Sequence, residues 1–553
     1  MVESIRKRPL AGLAVFATAA AVAVSACGGA SSSSSTNGGA AGRDGAMALS
    51  DSTPAPTGPV DAATWAVYAE PASLDWVLAN DFPPMEIGAN VCESLAQVSP
   101  QMTIEPALAS GWRTPDPRTL VYTLRDGVRF HGGAPLRADD VVYSLSRNLD
   151  REVGSYFAAA YANVASIRAT GPAEVTIKLK RPDALLPSAL ATPAGRIDSK
   201  AFLEERGKAY GTPDGGVDCT GPYRFAKWEK GQSITLEAFD GYWDPERVPQ
   251  VRTLDVSFVA DPAARVNALA SGTIDGTYQV PTAGFGRLRT GQAGSLTFGR
   301  AAGSYVAMLT DPDGALRDIR IRRALSLAID RSGIIDSVLD GAAEPLKAPV
   351  APGAWGYEQE TFQAAYDALP DPSGSVEEAR RLVQEAGAPS EPITIAITRD
   401  REEMPTIAAE VRRAGEEIGL KVEIKSLAGN SYNALYSDAK AREGIDLIFS
   451  QWVPDFPEPL QLLQYMRGDN FFGYARFDDP EFMRLTDEAA GTLDDARRAR
   501  LVAEAQRIAT EAQIWIPLYS PYQPLFLGRR ITGAPTGAVN LTYPWAADLG
   551  AKG

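Results

Sequence analysis

The sequence predicts a large α/β protein of two or three lobes, and three observations predict it. About 490 of the 553 residues follow position 60, and 45% of the chain is hydrophobic against 22% charged, enough to fill several cores. The first half reads as strands and turns with helices interspersed, which is mixed α+β material. From residue 316 onward, amphipathic helices alternate with short apolar strands, the pattern of a parallel sheet with crossover helices.

The elements follow in order. Residues 119–124 alternate apolar and polar, turn at Asp126-Gly127 and are expected to continue into a second strand at 128–130. Residues 138–149 read as a helix. Residues 174–180 put Val175, Ile177 and Leu179 on one face and Thr176, Lys178 and Lys180 on the other, the signature of a half-buried strand. A hairpin is expected from 223–228 to 233–239 across Lys230-Gly231. Asp318 caps a helix whose inner face is Ile321, Leu325, Ala328 and Ile329. Ser375 and Glu378 form a capping box that opens a helix ending at Gly387. Residues 393–397, 405–418 and 421–425 make a βαβ unit. A helix near 432–441 then leads into a strand at 446–452. Helices at 480–490 and 496–512 follow, the first capped by Asp479 with Pro480 in its first turn. Residues 515–527 are strand-like again.

The N-terminus carries an address. Arg6, Lys7 and Arg8 precede an apolar run over residues 10–24, which ends in Val24-Ser25-Ala26-Cys27. A basic start, a short apolar stretch and small residues before a cleavage point make an export signal over 1–26, too short for a spanning helix. Val-Ser-Ala-Cys resembles the lipobox of bacterial lipoproteins, which implies lipid on the thiol of Cys27 and anchorage to a membrane. Residues 27–60, rich in Gly, Ser, Ala, Thr and Pro, lack an apolar period and are expected to be a flexible tether with a reach of roughly 30 Å.

Charge and rare residues exclude several functions. The net charge is -15, and removing the leader takes away three positive charges and one negative, so nucleic acid is not expected as a partner. One histidine, His131, leaves little for a multi-His metal site or a Ser-His-Asp triad. Phosphate-cradling, nucleophile-elbow and Cys-x-x-Cys motifs are absent from the sequence. A non-enzymatic function without cofactor or metal is therefore expected. Once Cys27 is committed to lipid, Cys92 and Cys219 remain, an even pair in an exported chain. A disulfide is the default for such a pair, with two separate buried thiols as the alternative.

Four stretches carry a family resemblance: residues 126–133 (DGVRFHGG) running on to 138–141 (ADDV), 220–223 (TGPY), 320–331 (RIRRALSLAIDR) and 452–459 (WVPDFPEP). In that order they resemble the family 5 extracytoplasmic solute-binding proteins, the oligopeptide/dipeptide-binding group of ABC importers. The similarity runs on to 516–519 (IPLY). It implies a two-lobed periplasmic-binding-protein-like (type II) fold with an extra α+β subdomain in the first lobe. The first lobe would take 61–302 and 517–553, the extra subdomain about 86–198, and the second lobe 303–516. The implied function is capture of a peptide between the lobes and delivery to ABC permease subunits, by a protein expected to be a monomer. A non-peptide solute (oligosaccharide, opine or metal complex) and a regulatory role in the envelope without transport stay open.

The resemblance also implies site residues. In peptide-binding members the aspartate of Trp-x-x-Asp-aromatic-x-Glu-Pro holds the peptide's α-ammonium, and Asp455 stands at that position with Trp452 ahead of it as a wall. Its place just beyond the strand at 446–452 suits ligand binding in an open α/β sheet; a turn or helix-cap role is the alternative. The segment 80–85 is expected to line the cleft through Phe82 and Met85. Tyr68 and Tyr305 fall near the implied lobe edges, and His131 lies in a structural turn.

Overall fold

The computed structural model describes residues 47–79 and 81–553. The expected signal peptide, Cys27, the tether up to residue 46 and Asn80 lie outside the described residues. The remainder, Met47–Gly553, is one contact unit organised around three sheets.

Seven strands form the first sheet, in the spatial order Gly294–Gly299, Gln523–Gly528, Gly276–Thr277, Val60–Val67, Val251–Phe258, Ser233–Ala238 and Tyr223–Glu229. Six form the second, in the order Ala343–Pro345, Trp515–Pro521, Ser304–Leu309, Leu447–Trp452, Ile393–Thr398 and Val422–Leu427. The third is the antiparallel sheet of the extra subdomain: Ala109–Asp116, Thr119–Leu124, Glu174–Leu179 and Val164–Gly171. There Val175, Ile177 and Leu179 are buried and Lys178 is exposed, as their alternation predicts.

The βαβ unit forms as read. Ile393–Thr398 runs parallel to Val422–Leu427 and to Leu447–Trp452. Helix Met404–Glu417 crosses between the first two, burying Met404, Ile407, Ala408, Val411 and Ala414. Asp318, Ser375 and Asp479 each accept backbone N–H groups at the start of their helices. The hairpin of Tyr223–Glu229 with Ser233–Ala238 is present.

Four expectations need correction. Residues 128–130 are not a strand; they make one bridge, Arg129 to Pro135, because Thr119–Leu124 already has a partner on each side, Ala109–Asp116 and Glu174–Leu179. The tether does not extend to residue 60. Ser50 N–H donates to Phe298 at 3.1 Å, Thr53 is buried with its hydroxyl on the Ala534 carbonyl, and Thr57 N–H reaches Ala551 at 2.9 Å. This segment satisfies backbone groups of the Gly294–Gly299 edge and the C-terminal tail, pairing that an apolar-period criterion does not register. The return to the first sheet comes at Tyr522 rather than 516/517, since Trp515–Pro521 pairs with Ser304–Leu309. The core of the extra subdomain begins at Leu95 rather than 86, because Ile87, Ala89 and Val91 pack into the first lobe.

The extra subdomain touches the second lobe directly. Ala184 N–H donates to the Ala490 carbonyl at 2.8 Å, and Leu185 packs on the second lobe's core. Cys92, at the end of helix Phe82–Val91, is joined to Cys219, 127 residues on, with the two Cα atoms 5.0 Å apart. In the chain-entropy account a crosslink closing so long a loop contributes on the order of 4–5 kcal/mol, generally an overestimate. A non-reducing peptide map should recover the Cys92 and Cys219 peptides linked. Recovery of both as free thiols would rule the bond out.

Candidate functional site

The loop after strand Leu447–Trp452 is set from beneath by a buried ion pair. Glu458 caps helix Pro459–Tyr465 through Leu460 N–H, lies 3.2 Å from Arg498 Nε and accepts the Tyr357 hydroxyl at 3.0 Å. Glu458 is 1% exposed, and the Arg498 guanidinium sits 4.1 Å over the Tyr357 ring. Burial raises the pKa of Glu458 while Arg498 opposes the shift. A buried pair with its remaining valences satisfied holds geometry even where its net energy is small.

Asp455 stands on that platform. Its N–H donates to Gln461 Oε1 at 2.8 Å, and Gln461 Nε2 returns a bond to Asp455 Oδ2 at 2.6 Å and another to the Tyr465 hydroxyl at 3.2 Å. Among the described residues no cation pairs with this carboxylate. It is open to water on its cleft side, yet protein surrounds it closely enough that desolvation raises its pKa above the ordinary Asp value, with the Gln461 hydrogen bond acting against the shift. The hydroxyls of Tyr156 and Tyr465 are raised too, by burial first and then by the charge of Asp455.

Asp455 opens onto a cavity of about 920 Å³, within the ordinary range for a ligand site. Phe456, Gln461, Tyr465 and Phe472 share its wall on the second lobe. The facing wall comes from the extra subdomain, through Tyr156, Phe157, Asn163, Lys180, Arg181 and Leu185. Sequence reasoning missed this wall. Its residues lie in connections with no periodicity, and only folding sets them opposite Asp455.

The other expected residues fall as follows. Trp452 does not line the cavity; it stands behind it, stacked on Trp515 at 5.2 Å and packed on Phe472 and Tyr465 at 4.9 and 5.5 Å, two rings that do. Phe82 is 45% exposed at the start of its helix, and Met85 is half-buried with its carbonyl on the Arg196 guanidinium at 3.0 Å. Neither lines the cavity that Asp455 lines. Tyr305 is buried and stacked on Tyr519, and Tyr68 donates to Asp81. His131 sits 3.0 Å from the Gly221 carbonyl through Nε2, and burial lowers its pKa to about 4, so it is a neutral donor in a turn. Asp198 lies beside the two cysteine sulfurs, whose bond to each other removes both thiols as metal ligands.

The desolvation of Asp455 gives a pH signature. A folded pKa above the unfolded one makes the charge unfavourable to folding, absent below the ordinary Asp pKa of about 4 and growing as pH rises through the folded value. Ligand-free Asp455→Asn should therefore melt above wild type at pH 7, and the difference should vanish in acid. A variant less stable than wild type at every pH would make Asp455 a turn residue held for its hydrogen bonds.

Comparison with known proteins agrees with this architecture. The family model of bacterial extracellular solute-binding proteins, family 5, matches residues 103–473. Heme-binding protein A of Haemophilus influenzae is 29% identical over 463 residues, covering 77% of this chain and 81% of that protein. The oligopeptide-binding protein OppA of Bacillus subtilis is 25% identical over 483 residues, covering 82% and 86%. Among solved structures, the substrate-binding protein CtaP of Listeria monocytogenes superposes with a TM-score of 0.79 at 20% identity, over 89% of this chain and 99% of that one. The periplasmic murein tripeptide-binding protein MppA, in its unliganded open form, superposes at 0.75 and 22% identity, over 90% and 99%. With the family model spanning more than half of its length, and with two lobes and an extra subdomain arranged as in these structures, the chain belongs to family 5 of the bacterial extracellular solute-binding proteins.

Proposed function

We propose that this protein captures a peptide in the cavity beside Asp455 and hands it to the permease subunits of an ABC importer, while a lipid on Cys27 holds it at the membrane. One observation carries the reading: a carboxylate oriented by Gln461 that opens on the cavity and has no cation partner among the described residues. A peptide's α-ammonium supplies the opposing charge, which favours the ionised carboxylate. The names of relatives support the solute class, an oligopeptide-binding protein and a probable D,D-dipeptide-binding protein of Escherichia coli among them. The role needs no chemistry on the solute. No helix among the described residues is long and apolar enough to cross a membrane.

A second reading, a non-peptide solute, is favoured by the 29% identity to a heme-binding protein. The two separate on charge. Removing one member of an enclosed pair costs about 3–5 kcal/mol, a loss of roughly 100-fold or more in affinity. By calorimetry, wild type should strongly prefer free-amine peptides to their N-acetylated forms, and Asp455→Asn should bind both weakly and nearly alike. Equal binding of the two forms by wild type would remove the ammonium clamp and leave the non-peptide reading. For the anchor, Cys27→Ala should appear in the soluble fraction or as uncleaved precursor; a processed variant that still needs detergent would defeat the lipid assignment.

A further inference from the structure

We propose that the cavity beside Asp455 selects ligands that carry an aromatic or large aliphatic side chain next to their ammonium, and that Tyr156 of the extra subdomain is the ring that makes the choice. This rests on the peptide reading above and adds to it a demand on the first side chain.

Exposure of apolar side chains carries the inference. Among the described residues seven large apolar side chains are exposed, and the two most exposed are Phe471, at 65%, and Tyr156, at 53%. Both stand at this cavity. Tyr156 lines it, and Phe471 packs edge-on against Phe472, another lining residue, with ring centres 5.1 Å apart. One comes from the extra subdomain and the other from the second lobe. Two open rings at one ligand-sized hollow differ from single apolar residues scattered over a surface. Contact between the two bodies does not cover them. The extra subdomain and the second lobe already meet through Ala184 and Ala490, the latter on the wall of the same cavity, and the rings stay open beside that contact.

The lining rings lie close to the carboxylate. Gln461 Nε2 bonds both Asp455 Oδ2 and the Tyr465 hydroxyl, at 2.6 and 3.2 Å. The Tyr465 and Phe472 rings meet at 5.4 Å and 67°. Tyr156 is near enough that its hydroxyl is raised by burial and then by the charge of Asp455. Its backbone is held, since its N–H donates to the Val77 carbonyl at 2.9 Å and the next residue, Phe157, is buried in the core of the extra subdomain. A rigid, exposed ring gives contact area at little cost in conformational entropy. The α-ammonium and the first side chain of a peptide leave the same carbon, so a peptide whose ammonium meets Asp455 has that side chain within reach of these rings. A phenyl group there gains apolar burial and edge-to-face contact, and a hydroxymethyl group or a hydrogen gains neither.

The test measures four tripeptides by calorimetry: Phe-Ala-Ala, Ser-Ala-Ala, Gly-Ala-Ala and N-acetyl-Phe-Ala-Ala. Wild type should bind Phe-Ala-Ala roughly 10-fold or more tighter than the Ser and Gly peptides. In Tyr156→Ala that ratio should fall several-fold while the preference for the free amine over the acetylated form remains. Tyr156→Phe keeps the ring and should keep the ratio. Tyr156 is exposed, so the Ala variant should melt with wild type. Equal binding of the Phe, Ser and Gly peptides by wild type, with the free amine still preferred, overturns the proposal and leaves the Asp455 reading intact. A ratio unchanged in Tyr156→Ala overturns the assignment to this ring. A uniform loss for all three free peptides in that variant makes Tyr156 a lobe contact and overturns it too. Loss of the amine preference alone removes the Asp455 reading and leaves the ring selectivity standing, and binding of none of the four peptides removes both.

Discussion

The two lobes are joined by a single two-stranded ribbon, and the rest of the molecule is arranged around it. Gly294–Gly299 pairs antiparallel with Gln523–Gly528 in the first sheet, and the same two segments of chain pair again as Ser304–Leu309 with Trp515–Pro521 in the second. Between the sheets lie residues 300–303 on one segment and Tyr522 on the other. The crossing is tight: a Cβ on Gly299 would stand 2.1 Å from the Thr536 carbonyl oxygen. Just inside the second lobe Tyr305 and Tyr519 stack across the ribbon at 4.8 Å. Hydrogen bonds on both sides of the gap resist sliding and leave bending as the soft motion, the geometry of a hinge.

Glu86, Glu93 and Asp455 are all held by neutral donors, and their access to space separates them. Glu86 is bonded by the indole of Trp65 and the amides of Gln279 and Asn540, and burial pushes it up to about 7. Glu93 accepts from Thr220, Tyr242 and Trp243 and is pushed up to about 7 as well. Both lie inside the first lobe, where a ligand has no entry, and both tie helices and loops to the tail or to neighbouring turns. Asp455 has the same kind of support from Gln461 but opens on a cavity. The chemistry is shared, and position leaves only Asp455 of the three facing a ligand-sized space.

What the sequence disclosed follows from how local each signal is. Capped helices and the βαβ unit were legible because Asp318, Ser375 and the apolar strand at 393–397 act within a few residues of themselves. Asp455 was legible through a motif eight residues long. The pair beneath it was not, since Glu458 and Arg498 are 40 residues apart and each alone reads as a surface charge. The wall carrying Tyr156 and Arg181 was hidden for the same reason, being set opposite Asp455 by the docking of two subdomains. Residues 47–60 misled because their order comes from backbone hydrogen bonds to distant edges, which composition does not encode. The expected strand at 128–130 failed through competition, the neighbouring strand having no free edge left.

The rigidity of the Asp455 loop is what makes its desolvation useful. A carboxylate on a mobile loop would swing into water or find a lysine, and its pKa would stay ordinary. Here the Glu458–Arg498 pair sets the helix, the helix places Gln461, and Gln461 holds Asp455 from its backbone N–H to its Oδ2. The charge is left facing the cavity with its pKa raised by desolvation, and on the proposed reading a bound cation would oppose that shift. Ligand binding then raises stability through mass action, by about 2.7 kcal/mol at a hundredfold excess over Kd. On the proposed reading, part of that affinity would come from the desolvation of Asp455 in the empty site, and the pair beneath the loop would contribute to binding without touching the ligand.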